Sequence, residues 1–245
     1  MARARAGAWF DPHLVRAAES LADDRRLWDG LFGPNLSARV LDVMPAPQNV
    51  TVDDQRLDQI AEAFGTIIDG ESPFTFDDSA RVAKYAVAIG RRVGLDEQTI
   101  RRLRRAGLVH DMGKLTVPNS ILEKLGALTA DEWTVARQHP SYTLQVLERV
   151  PLLDELALDA ASHHERIDGR GYHRGVEGSH LSQTARILAV ADVVDALAAD
   201  RPYRAGMSPD SVLDILVKGS GSHFCGSCKD VCSSELIVAA PSQAA

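Results

Sequence analysis

The stretch from Ile187 to Ala198 reads ILAVADVVDALA, and it decides the fold class because it is apolar on almost every side of a helix. A helix of this kind lies buried among other helices, since none of its faces suits water. Asp192 stands in its middle, where an ionised carboxylate is costly unless a cation meets it. The sequence therefore predicts a buried helix whose Asp192 contacts a metal ion, an arginine or a histidine.

Helical spacing of apolar residues recurs along the rest of the chain, whereas strand patterns are nearly absent. Capping residues mark several helix ends: Gly94 follows one helix, Thr129 opens a capping box and Ser182 precedes another helix. The predicted fold class is all-α, with helices over residues 53–70, 79–93, 96–110, 129–139, 151–164, 182–199 and from 208 onward.

Length and composition limit the classes of function. The chain has 245 residues, a formal net charge of −7 and a pI near 5.6, a balance that argues against binding a nucleic-acid polymer. The arginine run at 101–105 is interpreted as a solvated helix face. No run of about eighteen apolar residues and no secretory signal are present, so we expect no membrane span and a cytoplasmic protein.

Histidines are concentrated in the apolar middle of the chain: five of the eight are His110, His139, His163, His164 and His173. His110–Asp111 and His163–His164 are adjacent pairs at predicted helix ends. Neighbours inside a helix point about 100° apart, so such pairs converge only at a helix end or on two ions. Imidazole with carboxylate suits Fe, Mn or Zn, and ligands from several helices can build a two-metal centre that activates a phosphoryl group.

Six motifs occur in a fixed order across about residues 57–217. They are HDMGK at 110–114, HP at 139–140, HHE at 163–165, DGRGY at 168–172, ADVVDAL at 191–197 and RPYR at 201–204. Together they resemble the HD-GYP subfamily of HD-domain metal-dependent phosphohydrolases. The resemblance implies an HD-domain helical bundle with a metal site in its core.

The same resemblance implies roles for individual residues. Asp111 bridges two divalent ions, with Fe or Mn expected, and Lys114 neutralises a phosphate oxygen beside them. Tyr172, Arg201 and Arg204 hold the phosphates and bases of a nucleotide, since guanidinium groups fit phosphate; pairing with surface acids is the alternative for the arginines. The implied metal ligands are His110, Asp111, His139, His163, His164 and Asp192.

Two positions depart from the family pattern. Asp78 stands where the family has a histidine, and it is either a further metal ligand or part of a helix cap with Ser79. The namesake Gly-Tyr-Pro reads Gly171-Tyr172-His173, so the loop lacks the proline that would fix its backbone. His173 is an additional ligand or proton donor, or an exposed loop histidine.

The two ends of the chain are treated as additions to the domain at 51–217. GAWFDP at 7–12 resembles the segment that closes domains of this family, so residues 1–50 are predicted to be a helical appendage that ends a preceding related domain. Residues 218–245 are predicted to be a flexible tail. The tail contains His223, Cys225, Cys228 and Cys232, which either bind a tetrahedral zinc or remain free thiols.

The leading functional hypothesis is a phosphodiesterase that opens cyclic di-GMP to a linear dinucleotide or cuts it on to GMP, without a covalent nucleophile. Two alternatives stay open: an HD phosphohydrolase acting on another nucleotide, and a module that binds nucleotide or partner without turnover. A cyclic dinucleotide is the expected partner, a homodimer is left open, and no nucleic-acid polymer or membrane is expected.

Overall fold

The computed structural model describes residues 3–5, 7–34, 36, 51–70, 77–200 and 204–239. They divide into two compact units, Met1–Thr51 and Val52–Ala245. The described residues are mainly helical and contain no extended strand, so the all-α prediction is confirmed. Arg201 and most of the segment before Asp78 lie outside the described residues.

The helices are numbered in chain order. The first unit contains α1 (Pro12–Ser20) and α2 (Arg25–Leu31). The second unit contains α3 (Asp54–Asp69), α4 (Asp78–Val93), α5 (Glu97–Val109), α6 (Asn119–Leu122), α7 (Ala130–Ala136), α8 (His139–Leu147), α9 (Asp154–Ala160), α10 (Gln183–Ala198), α11 (Pro209–Gly219), α12 (Gly226–Asp230) and α13 (Ser234–Ala239). Short 3₁₀ helices cover Met112–Thr116 and Gly178–His180.

The first unit is held by local contacts. Asp11 caps α1 by accepting a hydrogen bond from the backbone N–H of His13 at 2.6 Å, and Pro12 occupies the first helical position. The ring of Trp28 in α2 stacks on that of Phe32, with centroids 6.4 Å apart. That this unit ends a preceding related domain remains a prediction, and residues 37–50 are outside the described part.

The central helix of the second unit is α10, which packs against α4, α5, α9 and α11. Its residues Ile187, Leu188, Val190, Ala191 and Val194 have no exposed surface, as its uniformly apolar sequence predicts. α10 has 16 residues, and no helix among those described is long and apolar enough to span a membrane.

Helix ends follow the predicted capping residues. Gly94 adopts a left-handed φ of 90° after α4, and Thr129 and Glu132 form both hydrogen bonds of a capping box at α7. The helix that Thr129 opens ends at Ala136, and a new helix begins at His139. This break places His139 at the start of α8, where its side chain can face the core.

The end of the chain differs from the predicted flexible tail, because residues 218–239 fold onto the bundle. α12 and α13 pack against α4, and α13 also contacts α11. Phe224, Cys228, Leu236 and Ile237 join the hydrophobic core, and the hydroxyl of Tyr85 in α4 donates to the carbonyl of Ile237 at 3.0 Å. Burial of these apolar side chains stabilises the folded segment, and a solvated tail would not gain this stabilisation.

Candidate metal centre

Three helix ends and one helix middle bring the predicted ligands together. His110 ends α5 and Asp111 follows it; His139 begins α8; His163 and His164 follow α9; Asp192 lies in the middle of α10. A cavity of about 480 Å³ opens beside them. Its polar wall includes Asp78, His110, Asp111, Lys114, His139, His164, Tyr172, Asp192, Asp195 and Arg204.

Three of the histidines are oriented in the same way. In His110, His139 and His163, Nδ1 lies 2.8, 2.7 and 2.7 Å from the backbone carbonyl oxygen three residues earlier. A carbonyl only accepts hydrogen bonds, so Nδ1 carries the proton and donates it. The opposite nitrogen, Nε2, is therefore directed into the cluster, and in the neutral imidazole it carries the lone pair that binds a metal.

The Nε2 atoms converge on the carboxylate of Asp111. Its Oδ1 lies 3.3 Å from Nε2 of His139 and 3.6 Å from that of His163, while Oδ2 lies 3.2 Å from Nε2 of His110. Oδ1 is buried and has no hydrogen-bond partner among the described residues. The Nε2 atoms of His139 and His163 are only 3.1 Å apart. Lone pairs that face one another in this way fit a bound cation.

Asp192 completes the cluster from α10. Its carboxylate lies 3.8 Å from Nε2 of His110 and 3.8 Å from Nδ1 of His164. Of the three contacts that the sequence left open for Asp192, the structure therefore gives histidine. An arginine instead contacts the next acidic residue of α10: Nε of Arg81 donates to Asp195 at 2.7 Å.

Donor atoms in the described residues form two groups that could hold metal ions. The atoms of each group lie within 4.8 Å of one another; one group is His139, His163 and His164, and the other is His110, Asp111 and His163. These two overlapping groups are what two neighbouring ions require. Neither contains Asp78 or a residue of the cysteine segment.

Burial and charge set the protonation of the cluster. Burial, with the neighbouring imidazoles, holds the pKa values of His163 and His164 well below 6.5. Burial would also lower the pKa of His110, but Asp111 and Asp192 outweigh it and raise the value to about 9. Burial raises the pKa of Asp192 to about 6. A divalent ion would therefore displace a proton from His110 on binding.

Lys114 neutralises the carboxylate that the resemblance assigns as a bridge. Its Nζ donates to Oδ2 of Asp111. Burial would lower the pKa of Lys114, but the charge of Asp111 more than offsets this and raises it. The pKa of Asp111 lies well below its usual value despite burial, because His110 and Lys114 are cationic beside it.

Asp78 lies on the cavity wall as the first residue of α4, after the capping position. Arg81 donates to both Asp78 and Asp195, so one guanidinium joins two carboxylates. Ser79 donates through its backbone N–H and its hydroxyl to Asp69. Asp78 is thus paired with an arginine in this structure, and its role as a metal ligand stays a prediction.

Glu165 anchors the glycine-rich loop, a role that the sequence did not reveal. It is 2 % exposed, and its carboxylate accepts the backbone N–H groups of Arg174, Gly175 and Val176 at 2.7, 3.2 and 3.3 Å. The loop passes so close to Glu165 that a Cβ at Gly171 would lie 2.5 Å from its Cα. The one feature of the sequence that pointed to this role is that the acidic Glu165 directly follows the candidate ligands His163 and His164.

Aromatic rings extend the cavity outward from the histidines. The ring of Tyr172 lies 4.6 Å from that of His164, centroid to centroid. The guanidinium of Arg137 lies 5.4 Å from the ring of Tyr172 and 5.3 Å from that of Trp133, which is 48 % exposed. Trp133 and Arg137 were not identified from the sequence, although their i,i+4 spacing before His139 is visible there.

His173 occupies the position of the missing proline with a left-handed φ of 98°. It is half-buried, its Nε2 is enclosed without a hydrogen-bond partner among the described residues, and burial lowers its pKa. It belongs to neither of the two donor groups, and it is less exposed than an ordinary loop histidine.

Thr143 fixes α8 against the HDMGK segment. Its hydroxyl donates to the carbonyl of His110 and accepts the N–H of Gly113, both at 2.9 Å. A Cβ at Gly113 would lie 1.9 Å from the carbonyl oxygen of His139, so only glycine allows this approach. Thr143 thereby positions the backbones of two predicted ligands, His110 and His139.

Arg204 lies on the cavity wall, and its hydrogen bonds within the described part of the chain go to backbone carbonyls. Its guanidinium donates to the carbonyls of Ala196 at 2.6 Å and Leu197 at 3.1 Å, at the C-terminal end of α10. It therefore satisfies carbonyls that the helix leaves open. Substrate roles for Tyr172 and Arg204, and for Arg201 outside the described residues, stay predictions.

The three cysteines remain free thiols. Burial opposes ionisation of Cys225, yet hydrogen bonds from Ser227 and Cys228 lower its pKa to about 7, whereas burial raises the pKa of Cys228 to about 12. Since no donor group found in the described residues includes them, zinc binding by these thiols stays a prediction.

The HD domain family matches residues 62–227 of this chain. The "3'3'-cGAMP-specific phosphodiesterase 3" of Vibrio cholerae is 44% identical over 213 residues, which are 87% of this chain and 46% of the relative. The "Cyclic di-GMP phosphodiesterase response regulator RpfG" of Xanthomonas campestris is 39% identical over 152 residues, 61% of this chain and 40% of the relative. The chain thus spans about half the length of the curated relatives it matches.

Two solved structures resemble the fold. The crystal structure of the cyclic GMP-AMP phosphodiesterase V-cGAP3 of V. cholerae has a TM-score of 0.55 and 37% identity, and the match covers 99% of this chain and 55% of that one. Bd1817 of Bdellovibrio bacteriovorus, an HD-GYP-type protein by its description, has a TM-score of 0.56 over 73% of this chain and 63% of its own. At 14% identity, Bd1817 supports the fold alone.

Proposed function

Since this chain belongs to the HD domain family, we propose that its second unit is a metal-dependent phosphodiesterase that hydrolyses a cyclic dinucleotide. One observation carries the proposal: Oδ1 of Asp111 is buried beside the Nε2 atoms of His139 and His163 and has no hydrogen-bond donor among the described residues. Buried acceptors that face one another need a positive charge or a proton between them, and a divalent cation meets this need for all three at once. The family match and the phosphodiesterase names of the relatives support the choice of reaction.

We assign two divalent ions to the cluster, with Asp111 between them. Imidazole with carboxylate donors favours Fe or Mn over Mg or Ca. When bound, two such ions polarise a phosphoryl oxygen and lower the pKa of water. The proposed ligands are His110, Asp111, His139, His163, His164 and Asp192, with Asp78 as a further candidate.

The protein's own residues would orient the substrate. Lys114 places a positive charge beside Asp111, where it would offset the charge of a phosphate. The exposed ring of Trp133 and the ring of Tyr172 offer flat faces for nucleotide bases on either side of Arg137. We assign the remaining phosphate contacts to Arg204 and Arg201.

Two guanine-containing cyclic dinucleotides are candidate substrates. The HD-GYP resemblance implies cyclic di-GMP, and the name of RpfG agrees with it. The cGAMP-specific relative matches more of this chain and at higher identity, 44% over 87% against 39% over 61%. We therefore propose that 3'3'-cGAMP is hydrolysed faster and that cyclic di-GMP is the second substrate.

The test is turnover of both dinucleotides by the purified chain with Mn²⁺, or with Fe²⁺ under anaerobic conditions. Chromatography should show linear dinucleotide or mononucleotides, with 3'3'-cGAMP consumed faster, and Asp111→Asn should form no product. Binding without product would favour the non-catalytic module. If another nucleotide were hydrolysed and neither dinucleotide were, the chain would still be an HD phosphohydrolase, but the proposed substrate class would be wrong.

A further inference from the structure

A second pair of reactive side chains lies outside the metal centre, in the sequence Cys225-Gly226-Ser227-Cys228. Cys225 is the residue that precedes α12 and Cys228 is the third residue of that helix. Side chains at these two positions meet across the first turn, as they do in a capping box. The spacing therefore brings two thiols together without requiring a change of fold.

The contacts of the two thiols agree with this spacing. Burial raises the pKa of Cys228, and the nearby Cys225 raises it further, while Arg186 of α10 helps to lower the pKa of Cys225. Sγ of Cys225 lies 3.1 Å from the hydroxyl of Ser227. Cys225 is half-buried, whereas Cys228 has no exposed surface. One thiol is thus accessible to a reagent, and the other is shielded from it.

The third cysteine has a different environment. Sγ of Cys232 donates to the backbone carbonyl of Cys228 at 3.4 Å, so it is directed at the helix. A tetrahedral zinc would need all three sulfurs, or two of them with His223, around one point. Cys232 instead contacts a backbone carbonyl, so it serves as a matched control within the same segment.

We propose that Cys225 and Cys228 form a reversible disulfide by exchange with a small or protein disulfide, which is the oxidant. The sulfur of Cys225, having lost its proton, attacks one sulfur of the oxidant, and the other sulfur leaves as a thiolate. Cys228 then loses its proton and attacks the Cys225 sulfur, which releases the second thiolate. The two cysteines lose two protons and two electrons, and the oxidant becomes two thiols.

The pair lies next to the loop that carries Tyr172. The carbonyls of Ser222 and His223 accept the backbone N–H groups of Asp168 at 2.9 Å and Ile167 at 3.4 Å. Cys225 follows this contact by two residues, so the disulfide would form at the base of the glycine-rich loop. The proposal itself concerns the disulfide and does not depend on the activity of the metal centre.

The experiment counts thiols in the full chain before and after equilibration with oxidised glutathione, by alkylation in denaturant and peptide mapping. The reduced chain should take up reagent at all three cysteines. The oxidised chain should be labelled at Cys232 alone, and dithiothreitol should restore full labelling. In Cys232→Ser the oxidised chain should take up no label, and in Cys228→Ser glutathione should remain attached to Cys225.

Three results would overturn the proposal. Labelling of all three cysteines after oxidation would show that the pair does not react. A disulfide that includes Cys232 would show that the wrong pair was chosen. Zinc content that falls in Cys232→Ser relative to the unaltered chain would show that the thiols bind metal. Circular dichroism of each variant, compared with the unaltered chain, would establish that the helices are retained.

Discussion

Two charged clefts lie in the second unit, and they differ in how their charges are satisfied. The metal-centre cavity measures about 480 Å³, while a groove between α3, α4 and α5 measures about 890 Å³. We call the second cleft the arginine groove, because the predicted run at 101–105 contributes Arg101, Arg102, Arg104 and Arg105 to its wall.

Every arginine of this run is paired with an acid. Arg102 meets Glu155 at 3.2 Å, and Arg105, only 5 % exposed, meets both Asp54 and Asp58. The remaining pairs are Arg101 with Asp54 and Asp58, and Arg104 with Glu62. The run was interpreted as a solvated helix face, whereas it forms an ion-pair network between α3, α5 and α9.

The difference shows which charged groups indicate a ligand. In the arginine groove each arginine of the run already has an acidic partner, so these charges need nothing bound to them. In the metal centre Oδ1 of Asp111 and the Nε2 atoms of His139 and His163 are buried acceptors that face one another. Unsatisfied acceptors at short range, rather than the size of a cleft or its number of charges, therefore identify the site.

The largest effect is expected from Asp111→Asn, which removes a charge from the proposed bridging ligand while keeping its shape. Even partners outside the ligand shell change metal affinity by about 10–100-fold, so we expect a loss of roughly 100-fold or more and no measurable turnover. Elemental analysis after dialysis measures the bound metal, and the dinucleotide assay measures turnover. A variant that kept its metal and its rate would remove Asp111 from the ligand set.

Lys114→Ala tests a charge that touches the centre without being a ligand. Loss of a positioned cation beside a phosphate should lower kcat by about 100-fold, in the range seen for single electrostatic groups. Metal content should stay at the level of the unaltered chain, since the charged amine of Lys114 donates to Asp111 and has no lone pair for a metal. If the metal is lost as well, Lys114 stabilises the ligand set rather than the substrate.

The pH dependence of metal binding follows from His110. Its pKa, raised to about 9, means that below this pH the ion must displace a proton, whereas above it the imidazole is already neutral. Apparent affinity should therefore rise about tenfold per pH unit between roughly pH 6 and 9 and level off beyond. Below about pH 6, protonation of Asp192 should steepen the loss. Calorimetry in buffers of different ionisation enthalpy counts the protons released; none at pH 7 would contradict the assignment.

Trp133→Ala tests the outer wall of the cavity. Base stacking on an aromatic ring contributes about 1–3 kcal/mol, so the dinucleotide KM should rise about tenfold while kcat changes little. Trp133→Phe should recover most of the affinity, because it keeps a flat ring. An unchanged KM in an otherwise active enzyme would show that the base lies elsewhere.

The spacing of apolar residues allowed the sequence to predict the all-α class and the buried helix α10. What such spacing cannot predict is seen within α10 itself. Asp192 and Asp195 are three residues apart on the same apolar helix, yet one faces His110 and His164 and the other faces Arg81. Helical spacing cannot distinguish them, because the choice depends on which residue of α4 or α5 lies opposite.

The remaining misses have the same physical origin. Glu165 and Thr143 act on backbone groups that meet only after the chain has folded. The segment after residue 218 departs from the family pattern, which suggested flexibility, although its apolar residues Leu236 and Ile237 are spaced to pack on the core. Local sequence indicates which groups are costly to bury, whereas the partners that satisfy them are set by tertiary contacts.

The smallest effect is expected in the arginine groove, from Glu155→Gln. Its pair with Arg102 is largely exposed, at 70% and 43% of the two side chains, and exposed pairs contribute about 0.2–1 kcal/mol. The free energy of unfolding in urea should fall by about 0.5 kcal/mol or less, with metal content and turnover unchanged. A clear loss of metal would show that the ion-pair network supports α5 and α9, which end at His110 and just before His163. The two clefts would then be mechanically coupled, and the contrast between satisfied and unsatisfied charge would no longer separate them.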